Sequence, residues 1–449
     1  MLLHFAVTNF RSLRDKTELS MMAASEAPWS HDSKAIHRIS PNLSVLRCAA
    51  IYGANASGKS NLIEALVTAR TIVCRGGDTP SAHLPFEPFR LDEDLPHRPT
   101  EFEFYLLIED RTYKYVFSTT RDAIVHESLY RAEGDEEQPL FHRSAGEIEL
   151  SDEIRAQSED PGFLGYVAKG TPKNRLFIYE SQTRNVDAHD FRSIYEWFEN
   201  HLAMIHPEAE YHDLAKAADS DPALRQFLAN TLTWADTGIT DLVTKHIELD
   251  SETTTQISKL MNEPNLHFLP LAKSRSRVSL LNHDENDMEL VSLRAIHGSK
   301  SEKTYEFGFE DESDGTRRLL DLTPMLYFGR SKPSAFVIDE LDRSLHTLLA
   351  QRLVETFLLD LPSTTQIIFT THDTNLLDCK ILRPDCIWFT EKGQEGNTSL
   401  YSLAEFKSDQ VQALRSELER GYLRGRFGGI PFFNDPGALG WFSSDTDDD

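Results

Sequence analysis

The chain has 449 residues, 40% of them hydrophobic, with 72 acidic against 46 basic side chains and a formal net charge of −26. That length holds more than one domain and a large core, and no run approaches the ~20 apolar residues that span a bilayer. The acidity repels nucleic acid over most of the surface and favours a protein partner, while four cysteines without a Cys-x-x-Cys pair read as reduced thiols of a cytoplasmic protein.

The start, Met1-Leu-Leu-His-Phe, lacks the charged opening and cleavage site of a signal peptide, and Leu2 to Val7 reads as a strand. A buried strand is expected over Val45 to Tyr52. It runs into Gly53-Ala-Asn-Ala-Ser-Gly58-Lys59-Ser60, and Asn61 to Leu66 opens a helix with apolar residues at helical spacing. Gly-x-x-x-x-Gly-Lys-Ser is a phosphate-binding loop. Its glycines let backbone N–H groups turn toward phosphate oxygens, Lys59 reaches the β- and γ-phosphates, and the Ser60 hydroxyl ligates Mg²⁺. The helix that follows directs its positive end at the same anion. Gly53, Asn55, Ser57, Gly58, Lys59, Ser60 and Asn61 are therefore the expected ATP contacts on this side.

Glu101 to Ile108 and Arg111 to Phe117 predict a hairpin, which Ile124 to Arg131 and Leu140 to Arg143 extend. Phe191 to Met204 carries Ile194, Trp197, Phe198 and Leu202 at helical spacing, and Tyr211 to Trp234 reads as helical too. No heptad is sustained for a coiled-coil arm, so the middle of the chain is expected to be a compact helical insertion. Lys273-Ser-Arg-Ser-Arg277 and Arg420, Arg424 and Arg426 are the candidate nucleic-acid contacts, and otherwise solvated or acid-pairing surface. His283-Asp-Glu-Asn-Asp287 has metal-ligating side chains but reads as a solvated acidic loop.

Ser334-Ala-Phe-Val-Ile-Asp339-Glu340 is an apolar strand ending in two acids, the partner that a phosphate loop needs. Asp339 is placed to hold Mg²⁺ and Glu340 to polarise the attacking water. Thr365 to Thr370 is another apolar strand, and His372 stands at its carboxyl end, where open α/β sheets place ligands. Upstream, Ser313-Asp-Gly315-Thr316 can cap and open a helix with exposed amides.

In this order, phosphate loop, Ser-x-Gly turn, Asp-Glu strand end and histidine resemble the head of an ABC-type ATPase. The closest likeness is to the RecF/SMC/OLD group, whose chains begin with Asn-Phe-Arg-Ser, as in Asn9 to Ser12 here. More narrowly the chain is similar to AAA-type ATPases of abortive-infection and anti-phage systems, of the RloA and AriA kinds. Pro85-Phe-Glu-Pro-Phe, Thr112-Tyr-Lys-Tyr, Ala235-Asp-Thr-Gly-Ile239, Asp339-Glu-Leu-Asp-Arg-Ser-Leu-His346 and Gly425-Arg-Phe-Gly-Gly-Ile-Pro431 carry that likeness almost from end to end.

The resemblance implies an α/β fold, a P-loop NTPase head with a mixed sheet, an antiparallel β-subdomain and a helical insertion. The segments would be an N-terminal ATPase lobe (1–150), the insertion (151–262), a C-terminal lobe (263–432) and a disordered acidic tail (433–449). It also implies that Ser313, Gly315 and Thr316 contact the γ-phosphate held by a second subunit. ATP then joins two heads, or a larger homo-oligomer, with Asp342 in the loop between them. Arg11 would be a nucleotide or signature-coupling residue. Asp314 departs from the small residue common in transporter signatures, no glutamine loop is evident, and no Toprim-like nuclease motif is recognisable. The implied role is a sensor or regulator, without a membrane segment, that controls a separate effector such as a nuclease. A RecF-like ATPase that clamps DNA and a scaffold that only binds ATP are the competing readings.

Overall fold

The computed structural model describes residues 1–24, 33–41, 43–77, 79, 81–134, 136–208, 210–211, 213–249, 277–284, 287–299, 303–378, 382–406 and 418–430. The chain divides into two compact units. The first takes residues 1–205, 334–341 and 363 onward, and the second takes 206–333 and 342–362.

Unit 1 contains two large sheets. One is antiparallel and has seven strands: β1 (Leu2–Thr8), β2 (Thr17–Ser20), β6 (Thr100–Ile108), β7 (Arg111–Thr119), β8 (Ile124–Glu133), β9 (Glu136–Ser144) and β10 (Glu147–Leu150). A two-stranded ribbon, β3 (Ile36–Ser40) with β4 (Leu43–Leu46), stands beside it in sequence. The β6–β7 hairpin forms because Glu109 and Asp110 both take left-handed φ, 50° and 64°, the twist a tight two-residue turn requires. Its inward residues, Phe102, Phe104, Tyr113, Tyr115 and Phe117, are buried, as their alternation dictates.

The other sheet has six strands in the order β11-β16-β17-β5-β18-β19. These are β5 (Cys48–Gly53), β11 (Leu202–Ile205), β16 (Ala335–Ile338), β17 (Gln366–Thr370), β18 (Ile387–Lys392) and β19 (Thr398–Ser402). All pairs are parallel except β18 with β19. Every residue of β5, β16 and β17 is buried, as expected for parallel strands covered on both faces. A buried glutamine ties the two sheets together. Gln366 donates to the carbonyls of Leu2 and Leu46, each at 2.9 Å, and accepts from the Leu2 amide at 2.6 Å.

Helix α1 (Lys59–Arg75) follows β5, and α2 (Asp152–Gln157), α3 (Pro161–Gly170), α4 (Phe177–Thr183) and α5 (His189–Glu196) also belong to unit 1. The helix expected over Phe191 to Met204 ends early. A π-turn over Trp197–His201 leads into β11, because Leu202–Ile205 pair in register with Ala335–Ile338 at the sheet edge. Trp197 and Phe198 instead pack on Phe104 of the antiparallel sheet, with centroids 6.5 and 4.9 Å away.

Unit 2 has a four-stranded antiparallel sheet, β12 (Ile239–Glu248), β13 (Val278–Asp284), β14 (Asp287–Gly298) and β15 (Thr304–Gly308). Its helices are α6 (Leu214–Ser220), α7 (Pro222–Trp234), α8 (Asp314–Phe328) and α9 (Thr347–Asp360). Asp221 caps α7 by accepting from Ala223 and Leu224, and Tyr327 of α8 donates to the same carboxylate at 2.9 Å. No helix among the described residues is long and apolar enough to cross a membrane.

Candidate functional site: the carboxyl ends of the parallel strands

β5 delivers the phosphate loop to α1, and the loop is held from behind by hydroxyls that come from far along the chain. Lys59 is buried and donates from Nζ to the carbonyls of Gly53 (2.8 Å) and Ala54 (3.2 Å). Gly58 caps α1 with φ 112°, and a Cβ there would lie 2.1 Å from Thr398 Oγ1. A Cβ on Gly53 would lie 2.2 Å from Thr390 Oγ1, so only glycine fits at either end. Asn55 and Ser60 are exposed along the loop.

Two proton chains lock this arrangement. Asn61 donates to Ser12 Oγ (2.6 Å), Ser12 donates to Thr398 Oγ1 (2.7 Å), and Thr398 donates to the Ser57 carbonyl (2.8 Å). Ser57 in turn donates to Thr390 Oγ1 (2.6 Å), which donates to the Tyr52 carbonyl (3.2 Å). The structure thus places the Ser57 and Asn61 side chains in the support of the loop. The Gly-rich turn at 425–430 packs there too: a Cβ on Gly429 would meet the Thr390 carbonyl at 3.3 Å and Gly53 Cα at 3.7 Å. Phe427 and Tyr422 of that segment stack on Phe389 of β18.

β16 and β17 bring the two acids beside this loop. Asp339 is buried and accepts at Oδ1 from Thr370 (2.5 Å) and from Ser60 (3.3 Å). Glu340 has φ 50°, a left-handed conformation that costs a non-glycine residue about 1–3 kcal/mol. Its amide donates to Thr370 Oγ1 at 2.7 Å, and the Leu341 amide donates to the Thr370 carbonyl at 3.0 Å. His372 is exposed just beyond the end of β17, whose neighbour Thr371 is pinned to β5 through the Ile51 carbonyl at 3.1 Å. Ser60 and Asp339 present hard oxygen donors of the kind that Mg²⁺ takes alongside waters and phosphate oxygens, so the residues present fit that ion.

The Ser-x-Gly turn lies in unit 2 and is differently made. Ser313 is the N-cap of α8, accepting from the Thr316 amide at 3.1 Å and sharing a 2.8 Å bond with its hydroxyl. The Ser313 residue is exposed, whereas Thr316 is buried. The extra negative charge of Asp314 is paired with Arg317 one turn on. A Cβ on Gly315 would stand 2.7 Å from the Ser344 carbonyl, so glycine lets the start of α8 touch the loop carrying Asp342. Asp342 is half-buried, its carbonyl accepts from Leu345, and Ser344 has φ 62°.

The remaining sequence candidates fall elsewhere. Arg11 forks onto Glu87 at 2.9 and 3.0 Å and lies 3.6 Å from Glu64 of α1, beside a cleft of about 370 Å³. Arg277 is buried and pairs with Asp321 (2.7 Å) and Glu210 (3.2 Å), so it is not a nucleic-acid contact. Burial raises the Asp321 carboxyl above its ordinary value, which Arg277 and the Tyr211 amide counter. Residues 273–276, the side chains of 283–287 and the tail after 430 lie outside the described residues. Arg420, Arg424 and Arg426 are exposed. Sequence reasoning did not pick out Thr370, Thr390 and Thr398. The one available signal was a polar pair, Thr370-Thr371, closing an otherwise apolar strand.

A phosphate loop on one parallel strand, with acids on the strand two places away and a histidine after the strand between, defines a P-loop ATPase-type domain of mixed α/β architecture. The chain belongs to the family described as "AAA domain, putative AbiEii toxin, Type IV TA system", whose model matches residues 48–378. Among solved structures it is similar to the SMC head domain from Thermotoga maritima, with 13% identity, 89% of this chain and 98% of that one covered, and a TM-score of 0.39. It is similar to a SmcHead bound to the C-winged helix domain of ScpA, at 14% identity, 91% and 99% coverage and a TM-score of 0.41. A third is the Smc head domain with an extended coiled coil bound to the C-terminal domain of ScpA derived from Pyrococcus furiosus, at 14%, 93%, 99% and 0.40. No curated protein matches the chain.

Proposed function

We propose that the chain binds and hydrolyses ATP at sites shared between two copies, and that it regulates a separate effector protein in an anti-phage system. The observation that carries the ATPase reading is the convergence of Lys59, Ser60, Asp339 and Glu340 at the carboxyl ends of β5 and β16, with Thr370 hydrogen-bonded to both acids. In this reading the amides at the start of α1 and the Lys59 ammonium hold the triphosphate. Ser60 and Asp339 would hold Mg²⁺, which would supply charge neutralisation at the phosphates. Glu340 accepts the proton of the attacking water, and His372 orients the γ-phosphate.

Ser313, Gly315 and Thr316 of a second copy close over that phosphate, with Asp342 beside them. The exposed position of Ser313 at a helix N-terminus suits an anion that arrives from outside. The defence role rests on the family description, which names a toxin of a toxin–antitoxin system, and on the net charge of −26, which suits a basic protein partner. Co-purification with the product of the adjacent gene tests that role. Recovery of the chain alone, with the neighbouring product equally active in its absence, contradicts it.

A further inference from the structure

We infer that Thr370 is a positioning residue that sets both acids of the site through a single hydroxyl. The inference rests on the reading of Asp339 and Glu340 as the metal-holding and proton-accepting acids. Thr370 is fully buried at the end of β17, between the strand of the phosphate loop and the strand of the acids. Its Oγ1 accepts from the Glu340 amide at 2.7 Å, so its one proton must go to Asp339 Oδ1 at 2.5 Å. Its carbonyl accepts from Leu341 at 3.0 Å.

Three consecutive residues of the acid turn are thereby tied to one side chain and its backbone. The bond donated to Asp339 orients the carboxylate whose Oδ1 also accepts from Ser60. The bond accepted from the Glu340 amide holds that residue in its left-handed conformation, φ 50°. A valine in place of Thr370 keeps the branched shape that the strand packs and deletes both side-chain bonds.

The test uses the full chain with Thr370→Val and Thr370→Ser, and Glu340→Gln as the control. Hydrolysis is followed by phosphate release, and metal affinity by the Mn²⁺ resonance spectrum with a non-hydrolysable ATP analogue. Thr370→Val should lower turnover by about 10²-fold, the scale of a misplaced catalytic group, and weaken Mn²⁺ by about 10–100-fold, the scale for loss of an outer-sphere partner. Thr370→Ser should return both to within about threefold of the parent. If Thr370→Val does not fold, Thr370→Ala takes its place with the same expectations.

Parental Mn²⁺ affinity and turnover in the hydroxyl-free variant, or a serine variant as defective as valine, overturns the inference. A dead Glu340→Gln beside a parental Thr370→Val overturns it alone. Parental turnover by Glu340→Gln overturns the reading of the acids and this inference with it.

Discussion

The phosphate loop and the Ser313–Thr316 turn are held in place by different means. In unit 1, the loop glycines abut Thr390 and Thr398, the lysine is buried, and serial hydroxyl bonds reach from Ser12 to Tyr52. In unit 2, the turn is held by bonds local to it, Ser313 with the Thr316 amide and hydroxyl and Arg317 with Asp314 and the Phe309 and Glu312 carbonyls. The close backbone approach of Gly315 to Ser344 adds to these, while residue Ser313 is exposed. Donors fixed before a ligand arrives need no reorganisation when it binds. On the proposed function, the first region is the complete anion cradle and the second is half of a contact. ATP binding should depend on the first alone, and hydrolysis on both.

That contrast can be broken in several places. The largest effect is expected from Lys59→Ala, which should abolish ATP binding in equilibrium titration, since the buried ammonium is the cradle's central charge. Glu340→Gln should leave that binding intact, cut phosphate release by about 10²–10⁴-fold, and shift the chain to a larger assembly by light scattering when ATP is present. Gly315→Ala drives a methyl group into the Ser344 carbonyl. It should depress turnover by at least about tenfold while the dissociation constant for ATP in the single chain stays unchanged. Loss of ATP binding in Gly315→Ala would erase the distinction between the two regions.

Smaller effects sharpen the same comparison. Ser313→Ala removes the α8 cap and should cost about 1 kcal/mol of stability by denaturant unfolding, together with turnover. Asp314→Asn removes the exposed side of a pair with Arg317 and should change stability by less than about 1 kcal/mol. A large loss of turnover in Asp314→Asn would give that acid a role at the phosphate that its pairing with Arg317 does not suggest.

The same contrast explains what the sequence disclosed. The places of Gly53 to Ser60, Asp339-Glu340 and His372 at strand ends were legible because each closes an apolar strand. The β6–β7 hairpin was legible because Glu109-Asp110 interrupts a clean alternation. Thr370, Thr390 and Thr398 were not, since a threonine at a strand end is also an ordinary β-former. Their roles come from partners 31 and more than 300 residues away. Residues 197–205 misled because their helical spacing was overridden by pairing of β11 with β16, a tertiary contact that local propensity does not contain. Arg277 sat in a basic run yet is buried against Asp321 and Glu210, acids brought to it only by folding.

On the proposed function, one complete site needs the cradle of one copy and the Ser313 turn of another. Mixing Lys59→Ala chains with Ser313→Arg chains tests it most directly, because each variant alone lacks one half of every site. Mixed dimers would hold one intact pair of halves. Hydrolysis by the mixture should therefore recover to roughly a quarter of the parental rate, with neither variant active alone. A mixture no more active than the sum of its parts, under conditions where the two chains co-elute with ATP, contradicts the account.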